Sequence, residues 1–119
     1  MKIAVVGSRN FSDLNLVKEF VSKLGYNDVV VTGGARGVDS VAERVAKLHG
    51  SKPIILYPDY IEHHPKMAPL IRNAEIVELA DEVYVFSEHY PLRGGSANVA
   101  LLAAQAGKLR SVFFPRKDD

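Results

Sequence analysis

Five short apolar runs, rich in β-branched residues, punctuate the chain at residues 3–6, 29–32, 54–57, 83–86 and 111–114. They are near-continuous rather than alternating, the pattern of strands covered on both faces. Between them, apolar positions recur at helical spacing. Residues 12–24 carry Leu16, Val17, Phe20, Val21 and Leu24, with Ser12 placed as an N-cap. Residues 39–49 carry Val41, Ala42, Val45, Ala46 and Leu48 and stop at Gly50. Residues 66–79 carry Leu70, Ile71, Ala74 and Val77, and residues 96–106 carry Val99, Ala100, Leu102 and Ala103 before Gly107. Strands alternating with helices predict a parallel sheet built by right-handed crossovers. The expected result is a three-layer α/β/α sandwich with a five-stranded parallel sheet of order 3-2-1-4-5. It forms one domain over residues 1–115, with residues 116–119 a fraying tail.

Composition narrows this picture. At 119 residues, 47% hydrophobic and 24% charged, the chain is of ordinary globular make-up. A net charge of +1 gives no bulk basicity, so an anion site has to arise from local clustering. Without cysteine there is no disulfide framework, thiolate metal site or cysteine nucleophile, and a reducing, cytoplasmic setting is expected. The apolar opening of Ile3 to Val6 is too short for a signal peptide or a membrane span.

In an open parallel sheet, ligands bind beyond the carboxyl ends of the strands, where the strand order reverses. The segments expected there are Gly7-Ser8-Arg9, Gly33-Gly34-Ala35-Arg36-Gly37-Val38-Asp39, the loop after residue 57, and Arg93-Gly94-Gly95-Ser96. Gly33 and Gly34 permit close backbone approach, and the helix that follows offers free N–H groups to a phosphate. Arg36 adds a guanidinium suited to bidentate pairing. A plain tight turn uses the same glycines, so this loop alone leaves both readings open. Gly94, Gly95 and Ser96 open a second helix in the same manner, and two such starts flanking one switch point favour an anion site. Gly7, Ser8 and Arg9 would floor it, while Arg72 and Asn73 would reach a sugar or base.

Other candidates are weaker. His63-His64 lacks the i, i+4 partner of a helical metal pair, so no metal is expected. Tyr57, Tyr60 and Tyr90 are either base-stacking residues or half-buried loop anchors. Asp59 and Glu88 are isolated loop carboxylates with no spacing that pairs them. No cofactor is implied.

Taken together, Val5-Val6-Gly7-Ser8-Arg9, Val31 to Asp39, Arg72-Asn73 and Ala80-Asp81-Glu82-Val83 resemble the SLOG superfamily of Rossmann-like nucleotide-binding proteins. Ala35-Arg36-Gly37-Val38-Asp39 is similar to the motif of the DNA-processing protein A family, which mediates recombination on single-stranded DNA. The resemblance runs from Lys2 to about Pro115. It implies a nucleotide-derived phosphate ligand held by the second and fourth loops, with Asp39 among the site residues, and it implies homo-oligomers. The helix carrying Ala100 to Ala106, apolar almost all round, is a candidate interface. The superfamily's enzymatic branch, which includes Lonely Guy and lysine-decarboxylase-like proteins, resembles phosphoribohydrolases with a Pro-Gly-Gly-x-Gly-Thr-x-x-Glu motif. Aligning its Gly-Thr with Gly95-Ser96 puts Val99 in the place of the catalytic glutamate.

Three functions follow as expectations. The first is a sensor or carrier module for a nucleotide or its derivative. The second is a nucleotide N-glycosidase in which Asp39 or Glu88 replaces the missing glutamate, since an oxocarbenium-like transition state needs a carboxylate. The third is a binder of single-stranded DNA, which needs a basic track with stacking aromatics.

Overall fold

A computed structural model describes residues 1–117. Strands β1 (Lys2–Gly7), β2 (Val29–Thr32), β3 (Ile54–Ile55), β4 (Glu82–Phe86) and β5 (Leu109–Phe113) alternate with helices α1 (Leu14–Ser22), α2 (Val38–Leu48), α3 (Ala68–Leu79) and α4 (Gly94–Gln105). All neighbouring strands are parallel and their order is β3-β2-β1-β4-β5. The predicted sheet and its reversal between β1 and β4 are therefore both present.

Successive strand residues point to opposite faces. Ile3 and Val5 of β1 join Val17, Val21, Val38, Val41 and Val45 in one core, under α1 and α2. Ala4 and Val6 join Ile76, Val77, Val83, Val85, Val99 and Ala103 in the other, under α3 and α4. Two-sided burial is why the strand sequences read as unbroken apolar runs. The first core ends in an aromatic cluster, with Phe86 and Phe113 stacked at 4.9 Å and Phe20 set edge-on to Phe86 at 5.7 Å. Helix α4 buries Val99, Ala100 and Ala103 and turns Leu101 outward. Among the described residues no helix is long and apolar enough to cross a membrane.

Element ends differ from the sequence reading for local reasons. Asp13, not Ser12, caps α1, accepting from Leu16 N at 3.3 Å. Ser12 instead donates its N–H and hydroxyl to Glu88. Helix α3 starts at Ala68 because proline fits the first turn, which leaves Lys66 in the preceding loop. Strand β3 is short: after Leu56 N donates to Thr32 O at 2.9 Å, the chain leaves the sheet and Tyr57 stands 65% exposed. Helix α4 already includes Gly94 and Gly95, with Arg93 as N-cap, so Ser96 is in the first turn and is not the cap.

Arg116 departs from the expected fraying. It donates to Asp13 at 2.8 Å and to Glu19 at 2.7 Å, tying the end of the chain to α1. Residues 118–119 of the expected tail lie outside the described residues. Hydrogen bonds from Arg116 hold the Asp13 carboxyl at about 2, against an ordinary 3.8. A carboxylate with a depressed pKa stabilises the fold above its unfolded value and loses that contribution as pH falls through the folded one. Arg116→Ala is thus expected to lower the melting temperature at neutral pH by a few degrees at most, the scale of an exposed ion pair. The difference from the wild type should shrink as pH is lowered from 3.8 toward 2, measured by circular dichroism melts.

Candidate functional site

The carboxyl ends of β1 and β4 open into a cleft of ≈ 590 Å³. Its floor is Val6, Gly7, Ser8, Arg9 and Asn10 from the end of β1, with Ala35 and Asp39 beside it. One wall is Lys66, Pro69, Leu70, Arg72, Asn73 and Ile76, and the other is Arg93, Gly94, Gly95, Ser96 and Val99. Of the residues expected to form a site, Gly7, Ser8, Arg9, Asp39, Arg72, Asn73, Gly94, Gly95 and Ser96 meet here. Gly33, Gly34, Arg36 and Gly37 do not line the cleft.

The second loop is closed by the chain itself. A Cβ on Gly33 would stand 2.6 Å from Arg72 Nη1 and 3.0 Å from Asp39 Oδ2. Gly34, with φ +71°, lies against the Tyr57 ring, which a Cβ would strike. Gly37, with φ +78°, brings the start of α2 under the Ser8 and Arg9 carbonyls, where no side chain fits. These glycines allow close approach, but what approaches is the protein's own backbone and side chains. Arg36 is exposed outside the cleft.

Asp39 is the hub of this packing. It is buried, and its two oxygens accept from Gly33 N at 2.9 Å and Gly7 N at 3.3 Å. Burial pushes its carboxyl above the ordinary range, opposed by the Gly33 N–H, the Thr32 hydroxyl, the Gly7 N–H and the Arg72 guanidinium. One carboxylate thus fixes the ends of both β1 and β2. Arg72 donates Nη1 to the Gly33 carbonyl and Nε to Asn73 Oδ1 at 3.0 Å. Asn73, also buried, donates Nδ2 to Asn98 Oδ1 at 3.0 Å. Through these two bonds Asn73 orients Arg72 and links α3 to α4, while it still lines the cleft.

Electrostatically the cleft is positive. Arg9, Lys66, Arg72 and Arg93 surround it, and its sole carboxylate among the described lining is the saturated Asp39. Burial, helped by nearby Arg9, lowers the Arg72 pKa, while Asp39 and Tyr60 oppose the shift. Helix α4 adds its own field. The first N–H groups of a helix have no intrahelical acceptor, and no side chain caps those of α4. A Cβ on Gly94 or Gly95 would meet nothing within 4 Å, so this end lies open to the cleft. On the floor, Ser8 Oγ accepts from Glu88 N at 3.1 Å, joining the first and fourth loops.

Sequence reasoning omitted Lys66, Leu70, Asn10 and the Asn98 partner of Asn73. Pro69 carried the one usable signal, since a proline in the first turn releases Lys66 from the helix. The two replacement carboxylates of the glycosidase reading are otherwise engaged: Asp39 on Gly7 and Gly33, Glu88 on Ser12. Val99 is 3% exposed and lines the cleft as a hydrocarbon. Among the described residues no three His, Cys, Asp or Glu side chains are grouped to hold a metal.

A doubly wound parallel sheet with a cationic cleft at its switch point defines a Rossmann-like α/β protein. More particularly, the chain belongs to the family of DNA recombination-mediator protein A, whose profile matches residues 1–91. Its fold is similar to that of DNA processing protein A from Streptococcus pneumoniae, at a TM-score of 0.76 and 24% identity. The match covers 98% of this chain and 50% of that one, so this chain spans half the length of the solved relative. None of the curated proteins compared with it matches.

Proposed function

We propose that this protein binds single-stranded nucleic acid, seating a backbone phosphate in the cleft between β1 and β4. The observation that carries the reading is the convergence of Arg9, Lys66, Arg72 and Arg93 on the open N-terminus of α4. Guanidinium groups and helix-terminal N–H groups are both fitted to phosphate oxygens. Arg72 is held ready by Asn73 and the Gly33 carbonyl, whereas Arg9 and Arg93 are exposed and swing onto the strand from either side. Membership of a DNA recombination-mediator family supports a nucleic-acid ligand over an unrelated anion.

The test is binding of a fluorescent oligothymidylate followed by anisotropy across a salt series. Neutralised phosphates release counterions, so log affinity is expected to fall linearly with log salt, by about 0.7 per neutralised phosphate on a single strand. A flat salt dependence, or no binding at low salt, would overturn the proposal.

A second reading rests on the cleft volume. At ≈ 590 Å³ it falls within the range of small-molecule sites and has room for one mononucleotide. On that reading the protein is a carrier or sensor of a free nucleotide. Nucleoside monophosphates would then compete fully with the labelled strand; weak competition supports the strand.

A further inference from the structure

We infer that the exposed face of Tyr57 is a stacking platform for a nucleobase of the strand whose phosphate occupies the neighbouring cleft. This rests on the strand-binding reading above and adds a second subsite to it, one that takes bases.

Tyr57 lies just past the end of β3, where the edge strand leaves the sheet, and it remains 65% exposed. Its position is nevertheless fixed. The ring edge lies against the Gly34 backbone so closely that no Cβ fits there, and Ile55 Cγ2 would stand 3.1 Å from that Cβ. The ring is thus braced along one edge by the second loop, and most of its surface is open to solvent. An aromatic with a braced edge and a wet face has two side-chain torsions to order and offers a π surface to any base.

Its neighbourhood selects the occupant. Gly34, which backs the ring, directly follows Gly33, whose carbonyl holds Arg72 at the cleft. Tyr60, 54% exposed, is near enough to Arg72 to act on its charge. Lys47 of α2 is also near enough to Tyr57 to feel its charge. A π surface on the loop that holds Arg72, outside the cleft but one residue from the Gly33 carbonyl, fits the alternation of a single strand, in which each charged phosphate is followed by a flat base. A free mononucleotide buried in the cleft would leave the platform uncovered. The arrangement also accounts for Gly34, which does not line the cleft: its missing side chain is what allows the ring edge to approach the backbone.

The experiment compares a ten-residue oligothymidylate with an abasic deoxyribose-phosphate strand of equal length, by anisotropy at one low salt concentration. Wild-type protein is expected to bind the thymidylate about tenfold more tightly, the scale of one stacked base. Tyr57→Ala should lose that advantage and bind the abasic strand as the wild type does, while Tyr57→Phe should keep it. Tyr57→Leu, which preserves the packing on Gly34, should behave like alanine in binding and like the wild type in melting. Equal weakening on both strands, or undiminished binding of thymidylate, overturns the platform and leaves the phosphate cleft standing. Failure of the wild type to bind either strand overturns both.

Discussion

Asp39→Ala is expected to cost about 3 kcal/mol of stability, the largest effect of any single side chain at the sheet edge. Two buried backbone donors, Gly7 N–H and Gly33 N–H, lose their acceptor together, and each orphaned donor costs roughly 1–3 kcal/mol. The cost is moderated because a buried carboxylate is itself unfavourable, as its raised pKa shows. Urea unfolding monitored by circular dichroism measures the loss. A variant as stable as the wild type would show that the loops are held by something else. The pH dependence has a defined sign. A carboxyl whose pKa is raised on folding binds protons more tightly in the native state, so its contribution grows as pH falls toward 3.8 and declines as pH rises through the folded value. The stability gap between the wild type and Asp39→Asn, which does not titrate, should therefore widen on mild acidification.

Reversal of two charges should have the largest effect on binding. Arg9→Glu with Arg93→Glu is expected to weaken binding to a single strand by roughly a hundredfold, since each charge-assisted hydrogen bond is worth about tenfold or more. The salt slope should flatten by about 0.7 for each phosphate that is no longer neutralised. Both side chains are exposed and line the cleft, so the melting temperature should scarcely move. Arg36→Ala is the matched comparison. It changes a cation of the family-like motif that is exposed away from the cleft, and affinity should stay within about twofold. If Arg36→Ala proved as damaging as the double reversal, the ligand would lie over α2 and not at α4.

The fold was legible because two-sided burial writes itself into the sequence as apolar runs, and Gly50 and Gly107 mark helix ends without ambiguity. The location of the cleft was legible too, through the strand-order reversal that those elements imply. The detailed roles were not. A glycine run signals close approach, but the same signal arises whether the approaching group is a phosphate or, as at Gly33, Gly34 and Gly37, the guanidinium, ring and carbonyls of the chain itself. Asp39 reads from sequence as a site residue, and it does line the cleft, yet its two hydrogen bonds to the backbone N–H groups of Gly7 and Gly33 are ones that no side-chain pattern records. The Asn73–Asn98 bond joins residues 25 apart on two helices, and only the packing angle of α3 on α4 brings them within 3.0 Å.

The chain of bonds from Gly7 through Asp39, Gly33, Arg72 and Asn73 to Asn98 runs over the top of the sheet, from the α2 layer to the α4 layer. Its consequence concerns conformational entropy. The two helix layers share the sheet as their common floor, and this belt locks their upper ends together before any ligand arrives. The backbone of the cleft is therefore already ordered, and association need restrict only exposed side chains such as Arg9, Lys66 and Arg93, each costing about 0.5–1.5 kcal/mol. On the proposed strand-binding function, affinity would respond to charge and stacking on a rigid frame, and a substitution anywhere along the belt is expected to weaken binding through a loss of preorganisation.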